Sequence, residues 1–432
     1  MSLSSVILRR YLNPARPEAN APKRLQAIHS NSKQNRVAML NGPFSPWPSF
    51  TEEEANAVSN VLLSNKVNYW TGQECREFEQ EFARFTDSEY AIALANGTLA
   101  LDLALRGLGI GSDDEVVVTP RTFLASVSSI VTAGAMPVFA EVDADSQNIT
   151  AETVAAVITE RTRAVICVHL AGWPCDMDPI MDLAKEHDLF VIEDCAQAHG
   201  AQYKGRAVGS IGHVGCWSFC QDKIMTTGGE GGAVTCKDRN LWSRMWSYKD
   251  HGKSWSAVYE RQHPPGFRWL HESFGTNWRM TEMQGVIGRI QLGRMPEWRQ
   301  SRQRNANAIW GCAHNLPGLR VPEIPADIEH AAYKCYVFVE PNRLAEGWSR
   351  DRIQNAIVEA GVPCFSGSCS EVYLEKAFDG TGWRPETPLP VAHELGETSL
   401  MFLVHPTLTE KEIDKTCNVL VSVMKQAVSA DV

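Results

Sequence analysis

The chain has 432 residues, 44% of them apolar, and a formal net charge of −10. That length exceeds one ordinary hydrophobic core and predicts two domains, and the negative balance argues against nucleic acid as the main partner. The twelve cysteines are scattered, with no Cys-x-x-Cys and no metal-ligand spacing, which argues against a disulfide framework and a metal site and for a reducing cytosol. No run approaches the roughly 18 apolar residues of a membrane helix. The start of the chain has Arg9 and Arg10 but lacks the long apolar stretch of a secretory signal.

Residues 1–42 differ from the rest: basic side chains recur from Arg9 to Arg36 against the single acid Glu18, and Pro14, Pro17 and Pro22 interrupt any helix. They read as a flexible N-terminal arm. Beyond it, Thr51 before Glu52, Glu53 and Glu54 is an N-cap followed by first-turn acids, and Val58, Val61 and Leu62 form the apolar stripe of the helix it opens. A second helix, Glu74 to Phe85, puts Phe78, Phe82 and Phe85 on one face.

Seven apolar strands follow, at Tyr90–Ala95, Glu115–Thr119, Met136–Glu141, Ala164–His169, Phe190–Glu193, Val214–Ser218 and Gly232–Thr235. Helical patterns at Thr98–Leu108, Phe123–Ala133, Ala151–Val157 and Pro179–His187 separate most of them. Strands that are apolar throughout and joined through helices predict a mostly parallel sheet covered on both faces; the last two, close together, can pair antiparallel. From Thr281 to Leu292 the pattern is helical and leads into a basic segment, Arg294 to Arg304. A large domain over 43–304 and a small C-terminal α/β domain over 305–432 are expected. The small domain would contain a strand at Cys335–Glu340 and helices at Arg350–Ala360 and Glu410 to about Lys425.

The chemistry gathers at the carboxyl ends of the strands, where open sheets of this kind bind ligands. Lys223 stands twenty-nine positions after Asp194. Asp194 ends the apolar strand Phe190-Val-Ile-Glu-Asp194, and Lys223 lies in a segment flanked by Gly228, Gly229, Gly231 and Gly232. An acid at a strand end and an amine in a glycine-flanked loop suit a pyridoxal ring: the amine holds the aldehyde and the acid keeps the ring nitrogen protonated. Read alone, Asp194 is also a helix N-cap and Lys223 a solvated surface lysine. Gln197, three residues beyond Asp194, could reach the phenolic oxygen of such a ring. Asn96-Gly97-Thr98 opens a helix after the first sheet strand, where free N–H groups and a hydroxyl suit a phosphate or form a simple cap. The Ser218 hydroxyl could hold the same phosphate. Phe123 could lie flat on the ring or be an ordinary core phenylalanine. A nucleotide phosphate loop is not present, because Gly-x-x-x-x-Gly-Lys-Ser/Thr does not occur.

Four motifs, ordered and correctly spaced, resemble those of the DegT/DnrJ/EryC1/StrS sugar aminotransferases. They are Asn96–Ala104, Glu193–Gly200, the Ser218–Gly232 lysine loop and Phe274–Gln284; Gly109–Val116 and Val404-His-Pro406 also fit. The likeness covers roughly residues 43 to 425 and implies the fold type I (aspartate aminotransferase) architecture with pyridoxal 5′-phosphate as cofactor. It implies that Lys223 holds the cofactor covalently, Asp194 pairs with the ring nitrogen, Gln197 contacts the ring hydroxyl and Phe123 stacks on the ring. Gly97, Thr98 and Ser218 would bind the phosphate, with Asn277 reaching it from the other subunit of a homodimer with shared sites. Asn96 stands where the family commonly has serine, Phe123 where some members have tryptophan or tyrosine, and Cys364–Ser370 does not resemble the usual histidine-bearing segment that shapes the sugar pocket.

The resemblance implies a cytoplasmic enzyme that moves an amino group from glutamate to a keto-sugar acceptor. The acceptor would be a nucleotide-linked keto-hexose, in amino-sugar biosynthesis for surface glycans or a secondary metabolite. A keto-sugar acid or a cyclitol ketone would use the same core. Relatives that dehydrate sugars carry histidine in place of the lysine, so Lys223 argues against dehydration. A non-catalytic PLP-binding sensor is the alternative outside catalysis.

Overall fold

The computed structural model describes residues 43–428, so the expected arm at 1–42 lies outside the described residues. The central sheet has seven strands in the order β1-β9-β8-β5-β4-β2-β3. These are β1 Tyr90–Leu94, β2 Glu115–Val118, β3 Met136–Phe139, β4 Thr162–Val168 and β5 Phe190–Asp194, then, after the two-residue strands β6 Gln202–Tyr203 and β7 Arg206–Ala207, β8 Val214–Ser218 and β9 Gly232–Cys236. Only β9 runs against its neighbours, pairing antiparallel with both β1 and β8.

Alternation along the strands explains why each reads as a continuous apolar run. Ile92, Leu94, Val116, Val118, Ala164, Ile166 and Val168 enter the core on one face, whereas Val117, Val165, Cys167 and Val191 enter that on the other. Successive side chains of a strand point to opposite faces, so a sheet buried on both sides needs apolar residues at every position. The helix Glu74–Phe85 buries Phe78 and Phe82 against Trp217 and Phe219; Phe85 touches Phe82 at 6.0 Å but is only half-buried.

The C-terminal residues form a second, antiparallel sheet. Its strands are β10 Leu319–Arg320, β12 Cys335–Val339, β13 Cys364–Phe365 and β14 Ser399–Phe402, in the order β10-β12-β14-β13, while β11 Ile328–Glu329 joins β6 and β7 instead. Helices Arg350–Glu359 and Glu410–Ala427 pack with this sheet around a core of its own. Thr409 caps the last helix in a reciprocal pair with Glu412, whose carboxylate also accepts from the Ser45 hydroxyl at 3.0 Å and so pins the start of the described chain.

Three expectations need correction. Leu62 is 53% exposed, so the first helix buries Val61 and Glu54 rather than a three-residue stripe. The helix predicted to end at Leu292 runs unbroken from Glu282 to His314, through Pro296 and past position 305. Within its basic stretch Arg294 pairs with Glu53 and Glu54, Arg299 pairs with Glu329, and Arg302 is buried. The helix after β2 begins at Ala125, not Phe123.

Candidate active site

The register of β1, β9 and β8 brings the glycine turn and the serine together. Leu94 lies opposite Gly232, and Gly232 opposite Ser218. The helix Gly97–Leu108 therefore starts against Ser218, with Asn96 capping it by accepting the Leu99 N–H at 3.0 Å. Helix geometry leaves the N–H groups of Gly97 and Thr98 without an intrahelical acceptor. A β-carbon at position 97 would sit 2.5 Å from Ser218 Cβ and 2.9 Å from its Oγ, so only glycine admits this approach.

Asp194 ends β5 opposite Cys216 of β8. Its Oδ2 accepts from Ser126 Oγ at 2.8 Å, itself bonded to Thr122 Oγ1 at 2.9 Å, and its Oδ1 accepts from Ala196 N at 3.1 Å. Two hydrogen bonds leave a carboxylate with further acceptor capacity. The neighbouring Glu193 anchors the strand end and binds no ligand. It is fully buried and accepts from the backbone of Gly209, Ile211 and Gly212 at 2.8, 2.8 and 2.6 Å and from His169 Nε2 at 3.0 Å. Burial alone would raise its pKa, but the His169 hydrogen bond and these amides together hold it below the usual carboxylate range. His169, Glu193 and Cys195 are close enough together to suggest a metal site. However, His169 Nδ1 already accepts from Cys175 N at 3.0 Å, which makes Nε2 the donor to Glu193 and leaves the ring no lone pair for a cation.

Gln197 is fixed by its Oε1, which accepts from Ala171 N at 2.8 Å, so its amide N–H₂ is the end left to donate to a ligand. Phe123 is 73% exposed at the end of β2, which excludes the core-phenylalanine reading and leaves its ring open for stacking. Asn277 is exposed on a stretch that bridges Asp250, two residues before Arg279, which bridges Leu94 at the end of β1. Arg279 and Lys253 both pair with the buried Asp250, at 2.7 and 3.1 Å. They are therefore engaged within the protein rather than solvated.

Lys223 lies in the loop between β8 and β9. The loop is fastened at several points: Thr226 Oγ1 donates to Phe219 O at 2.8 Å, Thr226 N to Gln291 Oε1 at 2.8 Å, and Gln284 Nε2 to Glu230 O at 2.8 Å. Gly228 and Gly229 have φ of 92° and 117°, the left-handed region that glycine adopts without a Cβ penalty.

Residues that the sequence did not single out complete the surroundings. Trp47 Nε1 donates to the Lys223 carbonyl at 2.8 Å and carries the Arg302 guanidinium over its ring. The Tyr333 ring lies 5.3 Å from Lys223 Nζ, and its hydroxyl donates to Asp222. Burial would raise the pKa of Asp222, but the Lys223 cation and the Tyr333 hydroxyl outweigh it and hold the carboxyl below its ordinary value. His199, wedged between Trp217 and Phe219, is pushed down to about 3 by burial and then by the Lys223 and Arg302 cations, and stays neutral. The one sequence signal for this group is that Asp222 adjoins Lys223; Tyr333 is 111 residues away from it.

Sequence and structure comparisons place the chain among known aminotransferases. The profile of the DegT/DnrJ/EryC1/StrS aminotransferase family matches residues 48–421. The chain is 34% identical to the UDP-N-acetyl-3-dehydro-alpha-D-glucosamine 3-aminotransferase of Acidithiobacillus ferrooxidans over 88% of this chain and 95% of that protein. It is 66% identical to an aminotransferase of Psychrobacter cryohalolentis with a TM-score of 0.87, over 89% of this chain and 99% of the other. The PLP form of the putative sugar aminotransferase Spr1654 from Streptococcus pneumoniae superposes with a TM-score of 0.79 at 26% identity, over 90% of this chain and all of that one.

Proposed function

Since the chain belongs to the DegT/DnrJ/EryC1/StrS family of PLP-dependent aminotransferases, we propose that it transfers an amino group from glutamate to a nucleotide-linked keto-hexose, with Lys223 as the reacting amine. The residues at the strand ends fit the cofactor. The close approach of Gly97 to Ser218, which a β-carbon would block, sets the free N–H groups of Gly97 and Thr98 beside the Ser218 hydroxyl, which suits a phosphate. Asp194 has acceptor capacity for a protonated ring nitrogen, Gln197 has a free donor end for the ring hydroxyl, and Phe123 offers an uncovered face.

When bound, PLP supplies the electron sink that lets an amino-bearing carbon lose its proton. The protein's part is to orient groups and to move that proton. Lys223 Nζ, held at the amino-bearing carbon, would take its proton and return it two atoms away, on the far side of the amine nitrogen. Such general-base transfer contributes about 10²–10⁴ in rate. Asp194, buried at 6% exposure and steadied by Ser126 and Ala196, would present its carboxylate to the ring nitrogen. The fastened loop restrains Lys223, so the amine need not be reordered at each turnover.

Two further assignments belong to this reading. We place the division between the parts at 304/305, with the cofactor groups on the larger side and the divergent segment Cys364–Ser370 on the smaller. Two copies form a homodimer in which Asn277 reaches the other copy's phosphate. The exposed Phe267, Trp269 and Phe274 on the same stretch supply the apolar surface such an interface needs. Among the described residues no helix is long and apolar enough to cross a membrane, and the cysteines are all unpaired, which supports the cytoplasm as its location.

The observation that carries the proposal is Lys223 and Asp194 on one sheet edge, with the Gly97–Ser218 cradle beside them. To test it, PLP-loaded protein is mixed with glutamate, and a UDP-linked 3-keto or 4-keto hexose is then added. A cofactor spectrum that shifts on the first addition and returns on the second, with an amino-sugar detected by mass, supports the reading. Binding of PLP with no spectral response to any amino donor would refute it.

A further inference from the structure

We propose that Lys334 is a second amine of this site and binds a carboxylate of the amino donor. The inference rests on the reading of Lys223 as the reacting group. Lys334 Nζ lies 4.7 Å from the centroid of the Tyr333 ring, the same ring that has Lys223 Nζ at 5.3 Å. The ring cannot drift, because its hydroxyl donates to Asp222 and its backbone N–H donates to Ala171 O at 2.9 Å. Ala171 N in turn donates to Gln197 Oε1. Lys334 is thus tied by one short chain of bonds to the residue that faces the cofactor's ring hydroxyl, and by one shared ring to the reacting amine.

The local charge is unbalanced in favour of an anion. Lys223 and Lys334 both act on the carboxylate Asp222, and Arg302 acts on Lys334 as a further cation. Arg302 is fully buried, with Nη1 directed at the Ala332 and Tyr333 carbonyls and the guanidinium over the face of Trp47. Lys334 is only half-buried, and among the described residues no carboxylate lies within ion-pair distance of it. Its ammonium is held down to about 8 by burial first, against the opposing pull of Asp222, and then by the Arg302 and Lys223 cations. An ammonium in that position gains from a bound anion. Geometry favours the donor's carboxylate over a nucleotide diphosphate. An amino acid carries a carboxylate bonded directly to its reacting carbon, so docking that carbon at Lys223 delivers the carboxylate beside it. A diphosphate on a sugar lies several bonds farther from the keto carbon.

The test uses the full-length, PLP-loaded protein with Lys334→Gln and Lys334→Arg. Maleate, a dicarboxylate without an amine, is titrated calorimetrically, glutamate is titrated by cofactor absorbance, and UDP is titrated as the diphosphate probe. Removing a charge-assisted hydrogen bond should weaken maleate and glutamate about 10- to 100-fold in Lys334→Gln, with recovery in Lys334→Arg. UDP binding and the rate at which hydroxylamine releases Lys223 from the cofactor, which involves no carboxylate, should stay at the wild-type level. Wild-type maleate and glutamate affinity in Lys334→Gln would overturn the assignment. So would weakened UDP with unchanged maleate, which points to the diphosphate, or hydroxylamine attack slowed as much as glutamate, which points to general damage. Borohydride labelling of the wild-type protein at Lys223 checks the parent reading separately.

Discussion

Gly97→Ala isolates the contact between the helix start and Ser218. The added carbon would lie 2.5 Å from Ser218 Cβ and 3.0 Å from its Cα, against the roughly 3.5–4.0 Å at which carbon atoms sit comfortably. The shortfall is about 1 Å, and the helix cannot simply retreat: the Asn96 carbonyl already abuts Gly232 of β9, closely enough that a β-carbon there would also clash. The strain therefore falls on Ser218 and on the space where the phosphate belongs. Overpacking of this kind costs about 1–3 kcal/mol, corresponding to roughly 5- to 150-fold if it is expressed in cofactor affinity. Equilibrium dialysis against PLP and urea unfolding of the apoprotein measure the two shares. Gly111→Ala is the control, because its β-carbon would meet only Ala133 O at an ordinary 3.7 Å. PLP affinity and unfolding midpoint both at wild-type values in Gly97→Ala would refute the reasoning.

Lys223→Ala should fold normally and lose turnover by more than about 10⁴-fold, which circular dichroism and amine-product assays follow together. Asp194→Asn removes the charge behind the ring nitrogen while keeping the Ser126 and Ala196 contacts available; its turnover should fall about 10²–10³-fold with the fold intact. Ser126→Ala deletes one of the two hydrogen bonds that orient Asp194 and should weaken PLP binding about tenfold, measured by dialysis. Glu193 has a depressed native pKa. Its stabilisation is therefore complete above the ordinary carboxylate pKa and fades as pH falls through the lower native value. Glu193→Gln should cost about 3 kcal/mol at neutral pH and flatten the acid limb of a stability-versus-pH curve, and an acid limb as steep as that of wild type would count against this account.

The sheet was legible because burial on both faces forces each strand to be apolar throughout, and nothing else in the chain gives that pattern so regularly. The antiparallel β8–β9 pair followed from the short connection between the two strands. The long helix Glu282–His314 was cut short for a physical reason: its charged residues are satisfied by acids far away in sequence, such as Glu53, Glu54 and Glu329, so the segment looks like a solvated basic stretch when read locally. Phe123 was ambiguous because an aromatic residue at a strand end can turn either way; the later start of the helix at Ala125 leaves it outside the core. Lys223, Asp194, Gln197, Gly97 and Ser218 could be located because motif spacing fixes them at strand ends. Trp47, Tyr333 and Lys334 could not, since they approach Lys223 only through tertiary folding and carry no local signal.

Reducing the PLP-loaded protein with borohydride and mapping the modified peptide tests the central claim most directly. The account predicts a pyridoxyl adduct on Lys223, within the tryptic fragment Ala207–Lys237, since the modified lysine is no longer a cleavage site. An adduct on Lys334, its neighbour across the Tyr333 ring, or on any other lysine would contradict it.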